Sequence, residues 1–185
     1  QLTPEGEDAT TFWGEGDEAI VKYANAICDT IDKYGYDGFD YDYEPNYGHR
    51  GNISGVPDAE KVFVEALSRR LGPKSGTDKM LVIDGEPQTI NAELGPCFNY
   101  FIVQAYACHG DNNLDGRLQG TIMNFDGVLE PEEVAKKYIV TENFENYALA
   151  GGVSFTDRNG NEMMSLEGMA RWQPIINGKK VQKGG

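Results

Sequence analysis

The chain has 185 residues, 39% hydrophobic and 11% aromatic, long enough for one domain with a substantial core. Thirty acids against 16 Lys and Arg give a net charge of −14, which argues against nucleic acid and anionic membrane as partners and fits a neutral or cationic ligand. No apolar run approaches the roughly 18 residues of a membrane span, so no membrane insertion is expected.

The sequence opens on Gln1 without a signal peptide, which suggests a processed product or a segment of a longer chain. Residues 1–15 are acidic and read as a loop. Asp17 to Tyr34 predicts a helix: Ile20, Ala24, Ile27 and Ile31 repeat at helical spacing, acids open it, and Gly35 closes it. A strand follows over about 36–44, then a loop over 45–57. Asp58 to Leu71 predicts a second helix with Val62, Phe63, Ala66, Leu67 and Leu71 on its apolar face, stopped by Gly72-Pro73.

Met80 to Gly85 reads as a buried parallel strand. Residues 88–98 form a short connection with room for one helical turn. Tyr100 to Tyr106 predicts another strand, with Gln104 and Tyr106 on one face, and 108–128 reads as a long loop rich in Gly, Asn and Asp. Glu130 to Lys137 is a helix start with Pro131 in its first turn. Tyr138 to Glu142 and Leu149 to Phe155 read as strands, Met163 to Trp172 as a closing helix, and the basic tail from Asn177 as frayed or exposed. Alternating strands and helices, with polar residues at the strands' C-terminal ends, predict an α/β fold with a parallel sheet and a ligand site at those ends.

The stretch that organises the chain is Asp37-Gly38-Phe39-Asp40-Tyr41-Asp42-Tyr43-Glu44. On a strand, Asp40, Asp42 and Glu44 share one face, and Phe39, Tyr41 and Tyr43 share the other. Like charges in a row raise one another's pKa, so such a row is kept for chemistry or for binding a cation. A solvated acidic edge strand is the bland alternative, but such edges rarely carry aromatics at every alternate position. The three cysteines, Cys28, Cys97 and Cys108, are odd in number and lack CxxC spacing, which argues against a disulfide framework or structural zinc. A Cys97–Cys108 disulfide stays open beside two free thiols.

The acidic stretch resembles the Asp-Gly-x-Asp-x-Asp-x-Glu signature of glycoside hydrolase family 18, which contains chitinases and endo-β-N-acetylglucosaminidases. Gln104-Ala105-Tyr106 resembles the sixth-strand Gln-x-Tyr of the endoglycosidase branch, and Gly151-Gly152-Val153-Ser154-Phe155 resembles the start of the eighth strand. The resemblance implies a (β/α)8 TIM-type barrel, of which residues 1–185 supply the C-terminal part, strands four to eight. The last strand lacks the Trp that floors the sugar site in many chitinases, and Phe155 is the nearest aromatic.

The resemblance further implies a retaining, substrate-assisted hydrolysis of the β-1,4 bond between the core N-acetylglucosamines of N-glycans. Glu44 is then the general acid and base. Asp42 orients the substrate's N-acetyl group, whose carbonyl oxygen attacks the anomeric carbon. Asp40 holds or shares a proton with Asp42, Tyr106 hydrogen-bonds the acetamide and Gln104 contacts the sugar. Asp37 plays a structural part. No cofactor or metal is implied. The partner is an N-glycan or another N-acetylglucosamine-containing oligosaccharide, and this substrate suggests a secreted, periplasmic or cell-surface location.

Three alternatives stay open: a chitinase of the same family, a glycan-binding protein without catalysis, and a divalent-metal site built on the acid row. Asp84 and Glu142 also end strands. His49 and His109 read as solvated, Trp13 and Trp172 as packing residues, and Asn52-Ile53-Ser54 is a glycosylation sequon only in a source that glycosylates.

Overall fold

The structure, a computed structural model, describes residues 16–45, 58–147 and 149–185. The chain divides into two compact units, Gln1–Asn99 and Tyr100–Gly185. The loop over 46–57, with His49 and the sequon, and the segment with Trp13 lie outside the described residues.

In the first unit α1 spans Asp17–Tyr34, as its spacing predicts, and buries Ile20, Ala24, Ile27, Cys28 and Ile31. Gly35 closes it at φ 70°, a left-handed conformation that L side chains adopt only with strain, and its amide donates to the Ile31 carbonyl. Strand β1, Gly38–Tyr43, follows at once and pairs in parallel with β2, Met80–Gly85, from Gly38 opposite Met80 to Tyr43 opposite Gly85. Gly38 is required for this approach, because a Cβ there would lie 2.2 Å from the Met80 carbonyl oxygen.

Between the two strands runs α2, Ala59–Ser68. It is shorter than the 58–71 expected. The Thr77 hydroxyl donates to the Arg70 carbonyl, and the chain turns at Gly72 with φ 79°. After β2 come two short 3-10 turns, Pro87–Thr89 and Ala92–Cys97, where one helical turn was expected. Phe63, Leu67, Leu81, Ile83, Ile90, Leu94 and Phe98 form the core of this unit.

The second unit opens with β3, Tyr100–Gln104, which pairs in parallel with β4, Tyr138–Thr141. The expected strand to Tyr106 ends two residues early, because Ala107 takes φ 53° and turns the chain. The expected long loop over 108–128 is instead largely helix α3, Asp111–Asn124. Its glycines and asparagines have poor helix propensity. Leu114, Leu118 and Thr121 nonetheless form one buried stripe, continued by Phe125, whose ring stacks on Phe101 at 4.7 Å. Tertiary burial overrides local preference here.

Helix α4, Pro131–Lys137, starts as predicted, with Pro131 in the first turn and a reciprocal cap between Glu130 and Glu133. A four-residue helix, α5 (Phe144–Tyr147), follows β4. The expected strand over 149–155 is confined to β5, Ser154–Thr156, because Gly151 and Gly152 sit at φ 77° and 106°. It pairs antiparallel with β6, Glu162–Met164, so Met163 and Met164 are drawn into a hairpin and the closing helix, α6, is reduced to Ser165–Arg171.

The tail is largely exposed, as expected, but it is ordered rather than frayed. Ile175–Ile176 (β7) and Lys179–Lys180 (β8) form a second hairpin, Gly184 donates its amide to the Tyr138 carbonyl, and Lys183 Nζ donates to the Met169 carbonyl at 2.7 Å. Trp172 is 2% exposed and packs on Tyr138, as a core residue should. All three thiols are free and buried. Among the described residues no helix is long and apolar enough to cross a membrane.

Candidate active site

The acid row stands on β1 and just beyond its C-terminal end. The alternation holds: Asp40 and Asp42 are exposed, while Tyr43 is buried and Phe39 and Tyr41 are partly covered. The aromatic face is fixed by ring contacts. Tyr41 meets Phe63 edge-on at 5.5 Å and Tyr43 at 5.5 Å, Tyr23 stacks on Phe63 at 5.9 Å, and the Tyr43 hydroxyl donates to Glu60 at 2.7 Å. Burial and the Glu60 carboxylate hold the Tyr43 phenol protonated far above its usual range. These contacts leave the strand one orientation, with its carboxylates turned away from α1 and α2.

Parallel register puts Asp84 of β2 opposite Asp42. Asp84, selected by neither motif nor spacing, thereby joins the row; its one signal in the sequence is an acid ending an apolar run. Partial burial first, then the charges of Asp84 and Asp42, push the Asp40 carboxyl up to about 6, although the residue is exposed on the strand. Asp40 is therefore the acid of the row that takes up a proton first as pH falls below neutral.

Glu44 follows the last residue of β1. Gly85 lies beside it at φ 101°, where a Cβ would be 2.6 Å from the Tyr43 carbonyl oxygen and 3.0 Å from Glu44 Cγ. The Glu86 amide donates to that same Tyr43 carbonyl at 2.9 Å. The space beside Glu44 thus depends on a missing side chain, which nothing in the sequence pattern announces.

Gln104 and Tyr106 belong to the second unit. Gln104 is the last residue of β3, and Tyr106 stands two residues on in the turn, 42% exposed. The Ala107 amide donates to Glu142 Oε1 at 2.9 Å, and the same oxygen accepts the Asn143 amide at 2.9 Å. Glu142 Oε2 accepts the hydroxyl of Ser165 at 2.7 Å, and Ser165 Oγ accepts the Val153 amide at 3.0 Å.

Phe155 is wholly buried against α6, where a Cβ on Gly168 would touch its ring at 2.3 Å, so it packs and is no sugar floor. His109 is exposed, its Nδ1 2.9 Å from the Ser154 carbonyl. Among the described residues no three His, Cys, Asp or Glu side chains are placed to hold one metal ion.

An α/β chain with carboxylates gathered at the end of a parallel strand defines a class, and comparison with known proteins narrows it. The model of glycoside hydrolase family 18, BT1044-like, matches residues 5–185, and the chain belongs to that family. It is 29% identical over 189 residues to endo-β-N-acetylglucosaminidase F2 of Elizabethkingia meningoseptica, covering 93% of this chain and 48% of that protein. A selenomethionine variant of BT1044 superimposes with a TM-score of 0.68 and 34% identity, covering 86% of this chain and 50% of that one. The apo endo-β-N-acetylglucosaminidase of Cordyceps militaris, at TM-score 0.57 and 24% identity, shares the fold over 97% of this chain and 56% of its own. The chain spans about half the length of the proteins it matches. Its parallel strand pairs fit part of a TIM-type barrel.

Proposed function

We propose that these residues are the catalytic segment, barrel strands four to eight, of an endo-β-N-acetylglucosaminidase that cuts the β-1,4 bond between the core N-acetylglucosamines of N-glycans. The observation that carries this reading is the Asp40–Asp42–Glu44 row at the end of a parallel strand, with the Asp40 carboxyl pushed up to about 6. The membership in family 18 and the likeness to the Elizabethkingia enzyme support it.

In this mechanism Glu44 protonates the glycosidic oxygen. The leaving sugar departs as the carbonyl oxygen of the substrate's own acetamide bonds to the anomeric carbon, giving an oxazolinium ion. Glu44, now a carboxylate, takes a proton from water, whose oxygen opens that ring with net retention. Asp42 stabilises the positively charged acetamide nitrogen. Asp40, whose carboxyl is raised to about 6, can share a proton with Asp42. Tyr106 donates its hydroxyl to the acetamide, and Gln104 contacts the sugar. An N-glycan substrate would place the enzyme outside the cytoplasm: secreted, periplasmic or at the cell surface.

The test incubates the longest natural chain carrying these residues, beside its Glu44→Gln variant, with a high-mannose glycopeptide, and weighs the products. Peptide retaining one N-acetylglucosamine, released only by the unaltered chain, is the expected result. Binding without cleavage by both would make it a glycan-binding protein. Cleavage of chitin oligosaccharides instead would make it a chitinase.

A further inference from the structure

We propose that Glu142 is a positioning residue for Tyr106: its carboxylate fixes the turn from which the phenol reaches the substrate's acetamide. The inference rests on the catalytic reading above and goes beyond it by assigning a residue outside both motifs.

The geometry starts from the register of β3 and β4, which sets Gln104 opposite Thr141, so the chain segments leaving the two strands emerge side by side. Tyr106 and Ala107 leave β3, and Glu142 and Asn143 leave β4. Ala107 takes φ 53°, a left-handed conformation that a residue with a Cβ holds only when its surroundings impose it. Its amide donates to Glu142 Oε1. That hydrogen bond ties the turn after β3 to the residue that follows β4.

The carboxylate is in turn held from three directions. Its first oxygen also accepts the Asn143 amide, which fixes it to its own strand end, and its second accepts Ser165, which is 0% exposed at the start of α6. Ser165 also receives the Val153 amide, and a Cβ on Gly152 would stand 1.9 Å from its Oγ, so the hydroxyl occupies space that only glycine leaves open.

Tyr106 itself is 42% exposed, so it is not wedged into the core. A clamp on the next residue is what a precise phenol requires, since a displacement of about 1 Å can cost on the order of a hundredfold in rate. Both Glu142 oxygens are already engaged with the protein, which suits holding more than contact with substrate.

The experiment is a double-mutant cycle on glycopeptide cleavage, using Glu142→Ala, Tyr106→Phe and the pair, with amide exchange at Ala107 measured on each. Glu142→Ala should lower kcat about tenfold to a hundredfold with KM within about threefold. It should expose the Ala107 amide to exchange, and it should add nothing in the Tyr106→Phe background. Glu142→Gln keeps an acceptor oxygen and should restore most of kcat and of the protection.

If Glu142→Ala does not fold, Ser165→Ala removes one anchor of the carboxylate and should give a smaller loss, again absent beside Tyr106→Phe. Equal losses in both Tyr106 backgrounds, or an Ala107 amide that exchanges no faster without the carboxylate, would overturn the proposal. A chain that cleaves no glycopeptide refutes the endoglycosidase reading instead, and amide exchange alone then decides whether the clamp exists.

Discussion

The two units hold their polar residues by opposite means. In the first, the acid row is fixed from behind: aromatic rings on the far face of β1 lock the strand, and the carboxylates are what remains on the other side. In the second, position is set by charged groups inside the structure. Glu142 gathers three donors, and Arg158 joins Asp111, Asp115 and the Gln173 carbonyl while Trp172 Nε1 donates to Asp115 at 2.9 Å. Apolar packing is tolerant of which residue fills a space but not of its loss. A hydrogen-bonded clamp loses its effect when one partner goes, and the group left behind is desolvated without compensation.

Four variants sharpen or break this contrast. Glu44→Gln tests chemistry without packing: kcat should fall by roughly a thousandfold, within the range for losing a general acid, with circular dichroism unchanged. A loss below tenfold would remove Glu44 from its proposed role. Phe63→Ala takes away the ring between Tyr23 and Tyr41 and should cost about 3–5 kcal/mol in denaturant unfolding, with faster amide exchange concentrated in α1, α2 and β1.

Arg158→Met leaves Asp111, whose side chain is only 8% exposed, without its cation. Because Arg158 is itself partly exposed, the expected cost is about 2–3 kcal/mol, with exchange rising in β5, β6 and α3. Loss spread evenly over both units by either of these two variants would contradict the contrast.

The smallest effect is electrostatic. The folded state raises the Asp40 carboxyl to about 6 from its ordinary 3.8, so the folded chain holds that proton more tightly than the unfolded chain. Asp40 therefore contributes stability below about pH 4, and that contribution disappears as pH rises through about 6. Asp40→Asn should remove this slope and gain about 1 kcal/mol at pH 7, a figure reduced for the solvent that reaches the side chain. An unchanged pH profile of Tm would show that Asp40 is not desolvated by its neighbours.

Legibility in the sequence follows the same division. Helix α1 was readable to its last residue because Ile20, Ala24, Ile27 and Ile31 mark a face and Gly35 marks the stop. Strand β2 was readable because four apolar residues, Met80 to Ile83, run unbroken into Asp84 and Gly85. The acid row stood out because carboxylates and aromatics alternate at a strand's period.

Helix α3 was hidden because Gly116, Gly120 and three asparagines argue locally for a loop, and only Leu114, Leu118 and Thr121 meeting a core argue otherwise. Strand β5 was misread as longer because conformations at Gly151 and Gly152 cannot be seen in a run of small residues. The tail is largely exposed, as expected, but its order was not legible, because nothing local says that Lys183 lies over the Trp172 ring. Tyr106 was singled out by its motif alone, and the Ala107 amide beside it bonds to Glu142, 36 positions from Tyr106, with no periodicity linking the two.

The clearance at Gly85 has a practical consequence for anyone seeking to retune this protein toward other substrates. Saturating positions around Glu44 is the natural design, and position 85 would be included by proximity. Every replacement there carries a Cβ into the Tyr43 carbonyl and the Glu44 side chain and must also adopt φ 101°. A library that varies residue 85 spends its diversity on members in which Glu44 has been pushed aside. Held constant as glycine, it lets substitutions elsewhere be read for what they do to specificity alone.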